Sequence, residues 1–77
     1  MISASEYKDI EPHREDIRKF QSTKRMRNHQ AVVLTDKIRQ RHGMGAINYV
    51  CEGCKIQALI EIWNMIIEYE QNFTPNI

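Results

Sequence analysis

Cys51 and Cys54 stand three positions apart in Cys51-Glu52-Gly53-Cys54, the one motif in the chain with chemical content. A Cys-x-x-Cys pair can ligate zinc, exchange disulfides or pack as two small hydrophobes. Zinc requires four thiolate or imidazole ligands, and the chain offers these two cysteines with His42 and His29, spaced His-x12-His-x8-Cys-x2-Cys. Disulfide exchange in a βαβ setting needs strands ahead of the first cysteine, and nothing before residue 43 supplies them. If the segment is helical, both cysteines share a face with Ile47 and Ala58, and core packing is the expected role. Two cysteines this close do not make the disulfide framework of a small secreted scaffold.

Other reactive constellations are missing from the sequence. It has no Gly-rich phosphate loop, no paired Asp/Glu motif, no nucleophile elbow and no His-Glu-x-x-His. His13, His29 and His42 have no assigned partners. The expectation is a protein that is not an enzyme, holds no cofactor and works by binding.

The charge is unevenly placed for a chain of net +1. Residues 1–17 carry Glu6, Asp9, Glu11, Glu15 and Asp16 against Lys8 and Arg14. Residues 18–42 carry Arg18, Lys19, Lys24, Arg25, Arg27, Lys37, Arg39 and Arg41 against Asp36 alone, and the remainder is acidic again. Such a block attracts phosphates or an acidic protein surface and speeds encounter with either. The alternative is internal pairing with the acidic flanks, although exposed pairs contribute only about 0–1 kcal/mol each. We take Lys24, Arg25, Arg27, Lys37, Arg39 and Arg41 as the candidate basic face. Only Phe20 lies near it, so stacking on single-stranded nucleic acid is not indicated.

The run from Leu34 to Cys54, with Gly43-Met44-Gly45 between two segments, resembles the helix-turn-helix of DNA readers. That resemblance implies a second helix over Ala46–Cys54 and a nucleic-acid partner reached through the basic block. The pattern usually has a small residue where Arg39 stands and an aliphatic one at Tyr49. The segment Ala46–Cys54 has no Lys or Arg, and the basic charge sits on the preceding elements.

The elements that must position these residues are helical by spacing. Ser3 and Glu6 form a candidate capping box, Asp9 is a candidate cap, and Tyr7, Ile10, Ile17 and Phe20 trace one stripe, predicting a helix over 9–21. Asn28 is a candidate cap for a second helix that buries Val32, Val33, Leu34 and Ile38 and ends at Gly43; a strand over Gln30–Leu34 is the alternative. Residues 55–71 hold ten apolar positions and predict a helix apolar over more than one stripe. Stripe spacing from Ile47 through Cys51, Cys54 and Ala58 extends that helix back to Ala46. The competing reading is an extended Ala46–Val50 turning at the cysteines.

A chain of 77 residues, 42% hydrophobic and 27% charged, is expected to be one domain over 1–77. No run spans a bilayer and the start lacks a signal-peptide layout, so a cytoplasmic location is expected. The fold class expected is all-α: a small three-helix domain whose long apolar C-terminal helix is buried in a homodimer or against a protein partner. Trp63, Met65 and Tyr69 are the candidate anchors. The functional expectation is a small regulator, adaptor or inhibitor. A nucleic-acid binder using residues 18–42 and a zinc-stabilised module are the alternatives.

Overall fold

The computed structural model describes residues 1–73, and it is all-helical, with no strand among them. Helix α1 spans Ala4–Ile10, a 3-10 turn covers Glu11–His13, α2 spans Arg14–Thr23, α3 spans His29–Arg41 and α4 spans Glu52–Phe73. Helix α1, the 3-10 turn and α2 follow one another without a gap, so the chain has three helical segments. No helix among the described residues is long and apolar enough to cross a membrane.

The first segment begins earlier than the helix predicted from Asp9. Ser3 caps α1: its hydroxyl accepts from the Glu6 amide at 3.1 Å, and its own amide donates to Glu6 Oε1 at 2.9 Å. This reciprocal capping box satisfies two amides that would otherwise be orphaned at the helix start. Pro12 cannot donate to the i−4 carbonyl and its ring crowds it, and the backbone tightens there into the 3-10 turn. Helix α2 ends at Lys24, which takes the left-handed conformation (φ 56°) and donates its amide to the Phe20 carbonyl.

The strand alternative over Gln30–Leu34 does not occur. Asn28 caps α3 through its side-chain oxygen, 3.1 Å from the Ala31 amide. At the other end Gly43, with φ +79°, closes a Schellman motif: Gly43 N–H donates to Gln40 O and Met44 N–H to Arg39 O. Thereafter the long-helix reading fails. Residues 44–48 form an irregular segment, and α4 begins only at Glu52.

Asp36, buried on α3, fastens this segment. Its carboxylate accepts from the Ile47 amide at 2.9 Å, from Gln40 Nε2 at 3.0 Å and from the Tyr49 hydroxyl at 2.9 Å. Arg39 takes the Gly45 carbonyl at 2.9 Å. Ile47, pulled inward by its amide, is 6% exposed and joins the core. Burial alone would raise the Asp36 pKa, but the three hydrogen bonds to its charged form hold it below the ordinary value.

Helix α4 lies against α3 and α2, and α1 packs on α3. Ile62 and Ile66 are fully buried against Ile10, Ile17 and Ile38, each such side chain worth about 1.5–3 kcal/mol. The far end of α4 is tied to the first segment by Glu70. Its carboxylate receives Arg14 through Nε at 2.6 Å and NH2 at 2.8 Å, and the Tyr7 hydroxyl at 2.5 Å. The Arg14 fork holds the Glu70 pKa below the carboxylate range, and the same carboxylate pushes the Tyr7 hydroxyl up to about 12. A depressed carboxylate stabilises the fold above its unfolded pKa, and the contribution is lost as pH falls through the folded value.

Two neighbours on α3 carry opposite expectations. Asp36→Ala strips the acceptor from the Ile47 amide and is expected to cost about 2–3 kcal/mol. Thr35 is fully buried with its hydroxyl unpartnered, so Thr35→Val is expected to gain about 1 kcal/mol. Urea unfolding midpoints read both, and a destabilised Thr35→Val variant would show that the hydroxyl has a partner.

Candidate functional site: a cationic pocket at the start of the last helix

The left-handed turn at Lys24 sends Lys24-Arg25-Met26-Arg27-Asn28 past the beginning of α4. Both ends of this loop are fastened. Thr23 Oγ1 accepts from the Arg25 amide at 3.2 Å, while Asn28 Nδ2 donates to Asp16 Oδ2 at 2.9 Å and lies 2.9 Å from His13 Nδ1. Between the loop, α3 and α4 is a pocket of about 280 Å³. Phe20, Met26, Val32, Ile56 and Leu59 give it an apolar lining, and Lys24, Arg27, His29, Tyr49, Lys55 and Glu52 complete it. Concave sites that combine apolar side chains with placed polar groups are where ligands and anchor side chains bind, and here the two kinds of lining are about equal.

The electrostatics of the lining are one-sided. Glu52 is paired with Lys55 at 3.0 Å. Lys24 Nζ donates to the Gln21 carbonyl at 2.8 Å and lies 5.9 Å from the Phe20 ring centroid, with no carboxylate partner among the described residues. Arg25 and Arg27 are exposed and make no ion pair among the described residues. The pocket therefore presents unneutralised positive charge beside an apolar floor, which suits an anionic group attached to an apolar one.

The six residues of the candidate basic face do not stay together. Lys24, Arg25 and Arg27 share this loop. Lys37 lies on α3 in a separate depression with His13, Gln30, Val33 and Leu34. Arg39 is turned inward, its side chain 13% exposed, and pairs with Glu61 at 3.3 Å. Arg41 lies 3.8 Å from Glu6, a buried acid whose other oxygen is 2.9 Å from His42 Nε2.

The candidate anchors on α4 lie away from the pocket. Trp63 is half-buried with the Arg14 guanidinium 5.1 Å from its ring, within cation–π range. Tyr69 stacks between Tyr7 at 4.4 Å and Phe73 at 4.7 Å, and Met65 packs on the core.

The four candidate zinc ligands do not converge. His42 contacts Glu6, His29 lies beside Tyr49 with ring centroids 6.1 Å apart, and the described residues hold no cluster of three or more His, Cys, Asp or Glu side chains suited to a metal ion. The core-packing role expected for the cysteines is overturned as well. Because residues 46–51 are not helical, Cys51 is only half-buried and Cys54 is exposed, and neither is in a disulfide. The same segment removes the second helix of the helix-turn-helix resemblance: Ala46–Val50, which should have entered a groove, is held on α3 by Asp36.

Sequence reasoning missed Met26, Tyr49, Lys55 and Ile56 as lining residues. The only signal was the poor helix-forming stretch 21–28, which marked a loop without saying what it would face.

No protein-family model, curated protein or solved structure matches this chain.

The two kinds of cation should separate in mutants. Arg39→Ala is expected to lower stability by about 1.5–3 kcal/mol because it strands Glu61 and releases Gly45, whereas Arg27→Ala should stay within about 0.5 kcal/mol. Equal losses in urea unfolding would mean that Arg27 is structural too.

Proposed function

We propose that the protein is a small non-enzymatic regulator, adaptor or inhibitor that binds a partner protein, taking an apolar side chain from an acidic segment of the partner into the pocket at the start of α4. The observation that carries this reading is the combination of an apolar floor with Lys24 and Arg27 in the lining and Arg25 beside them on one fastened loop, none of the three in an ion pair among the described residues. Burial of one large apolar side chain contributes about 1.5–3 kcal/mol. The cations add orientation and encounter rate toward carboxylates, which an apolar contact alone does not provide. The central basic surface and the apolar last helix thereby act at one place, where Arg27 and Lys24 border Ile56 and Leu59.

A nucleic-acid reading uses the same cations but fits the floor less well. Phe20, on the pocket floor, is 2% exposed and cannot offer its face to a base, which leaves Tyr49 as the exposed aromatic of the lining. The same proposal assigns a homodimer contact to the outer side of α4. Ile60 and Ile67 are only partly buried and lie on a different face of α4 from Ile62 and Ile66.

Two measurements test these statements. Short peptides with Leu, Phe or Trp between Asp and Glu residues are expected to bind, with affinity falling about tenfold or more in Arg27→Glu. Binding of duplex or single-stranded nucleic acid in preference to every such peptide, with a steep loss in added salt, would replace the protein-binding reading. Light scattering at high micromolar concentration is expected to give twice the monomer mass; the monomer mass ends the dimer assignment.

A further inference from the structure

Cys51 occupies the position immediately before α4, where a helix places its cap. Its carbonyl accepts from the Lys55 amide at 3.2 Å, and its Sγ accepts from the Cys54 amide at 3.2 Å. A sulfur is an unusual acceptor here, since Ser, Thr, Asp and Asn are the residues that cap helices well. What a thiol adds at this position is chemistry. The N-terminal end of a 22-residue helix turns amide dipoles toward the sulfur and favours its anionic form, the form that attacks disulfides. The second thiol of the motif follows within the same first turn, and its own amide donates to the first sulfur.

We propose that Cys51 and Cys54 are a thiol–disulfide exchange pair, Cys51 the attacking sulfur and Cys54 the resolving one, acting on a low-molecular-weight or protein disulfide. In the first step the Cys51 thiolate bonds to one sulfur of an external disulfide RS–SR, whose S–S bond breaks to release RS⁻. The Cys54 thiol then gives up its proton to that basic thiolate and attacks Cys51 Sγ, expelling the second RS⁻. The protein dithiol is oxidised to the Cys51–Cys54 disulfide, and RS–SR is reduced to two thiols.

The geometry assigns the order of attack. Cys51 Sγ, ahead of the helix, receives the Cys54 amide at 3.2 Å, whereas Cys54 lies within the first turn, and the hydrogen bonds to Cys51 push the Cys51 thiol down. A groove of about 410 Å³ runs beside the pair, bounded by Gly45, Ala46, Ile47 and Asn48 on one side and Gln57 on the other. It is open enough for the substituent on a substrate sulfur. The irregular backbone held by Asp36 and Arg39 forms one wall of this groove and also ends just ahead of the helix start that activates the thiol.

The test uses the full chain, reduced, in glutathione buffers stepped from reducing to oxidising, quenched with acid and alkylated, and read by intact mass and peptide mapping. The wild type is expected to lose two hydrogens, with Cys51 linked to Cys54 and no glutathione adduct accumulating. Cys54→Ser should stop as one glutathione adduct on Cys51. Cys51→Ser keeps a good cap, so the helix start survives, and its Cys54 should form an adduct about tenfold or more slowly than Cys51 does in Cys54→Ser. Equal rates in the two single variants overturn the assignment of roles. A wild type that accumulates two glutathione adducts, or stays reduced at every ratio, overturns the exchange pair.

Discussion

The carboxylate of Asp36 is the constraint from which the arrangement of the second half of the molecule follows, because it takes the Ile47 amide and the Tyr49 hydroxyl and so fastens the irregular segment after Gly43 to α3. Helix α4 starts at Glu52, after that segment. Had winding begun at Ala46, Cys51 and Cys54 would lie inside a helix with their amides used in the ladder. Tyr49 would then leave the pocket, and Arg39 would lose the Gly45 carbonyl. A buried carboxylate with all its partners in place is a strong local determinant, since removing any partner leaves charge or a polar group stranded.

Acidic residues from the chain's two flanks perform the equivalent service at other helix ends. Glu6 completes the α1 cap and reaches across to His42 and Arg41 at the end of α3, where cations suit the helix dipole. Glu70 collects Arg14 and Tyr7, and Glu61 collects Arg39. The acidic, basic, acidic distribution of charge is thus resolved in two ways at once. Arg39 and Arg41 are drawn into pairs that hold helices together, while Lys24, Arg25 and Arg27 make no ion pair among the described residues, their acidic neighbours Asp16 and Glu52 being engaged with Asn28 and Lys55. Neither simple alternative, a fully solvated face or a fully open binding face, describes the block.

What could be seen in the sequence follows the range of the interactions. Local rules sufficed for the Ser3–Glu6 capping box, the Asn28 cap, the Gly43 stop and the helical nature of 55–71, because each is decided within a few residues. The stripe of Ile47, Cys51, Cys54 and Ala58 is locally as good as any of these and is not realised as helix: Ile47 is instead held by a residue eleven positions upstream, on another helix. The pocket was invisible for the same reason: Met26, Tyr49 and Ile56 meet only after the α2–α3 loop has been laid against α4. Trp63 and Tyr69 looked like anchors by residue type, and the structure gives both of them aromatic or cationic neighbours within the chain.

Helix α4 is 22 residues long, about 33 Å, and covering it fully would take more helix than α2 and α3 supply. The described chain measures 17 Å in its thinnest direction, about two layers of packed helices, so α4 is covered on the side of Ile62 and Ile66 and less completely beyond it. The cover is interrupted at its first turns. There the loop residues Lys24 and Arg27 approach Lys55 and Ile56 from one side and the Gly45–Asn48 segment approaches Cys51 and Gln57 from the other, leaving a concavity on each. Both concavities depend on the same helix start, so a change that unwinds the turn Cys51–Lys55 must alter the pocket and the thiol pair together.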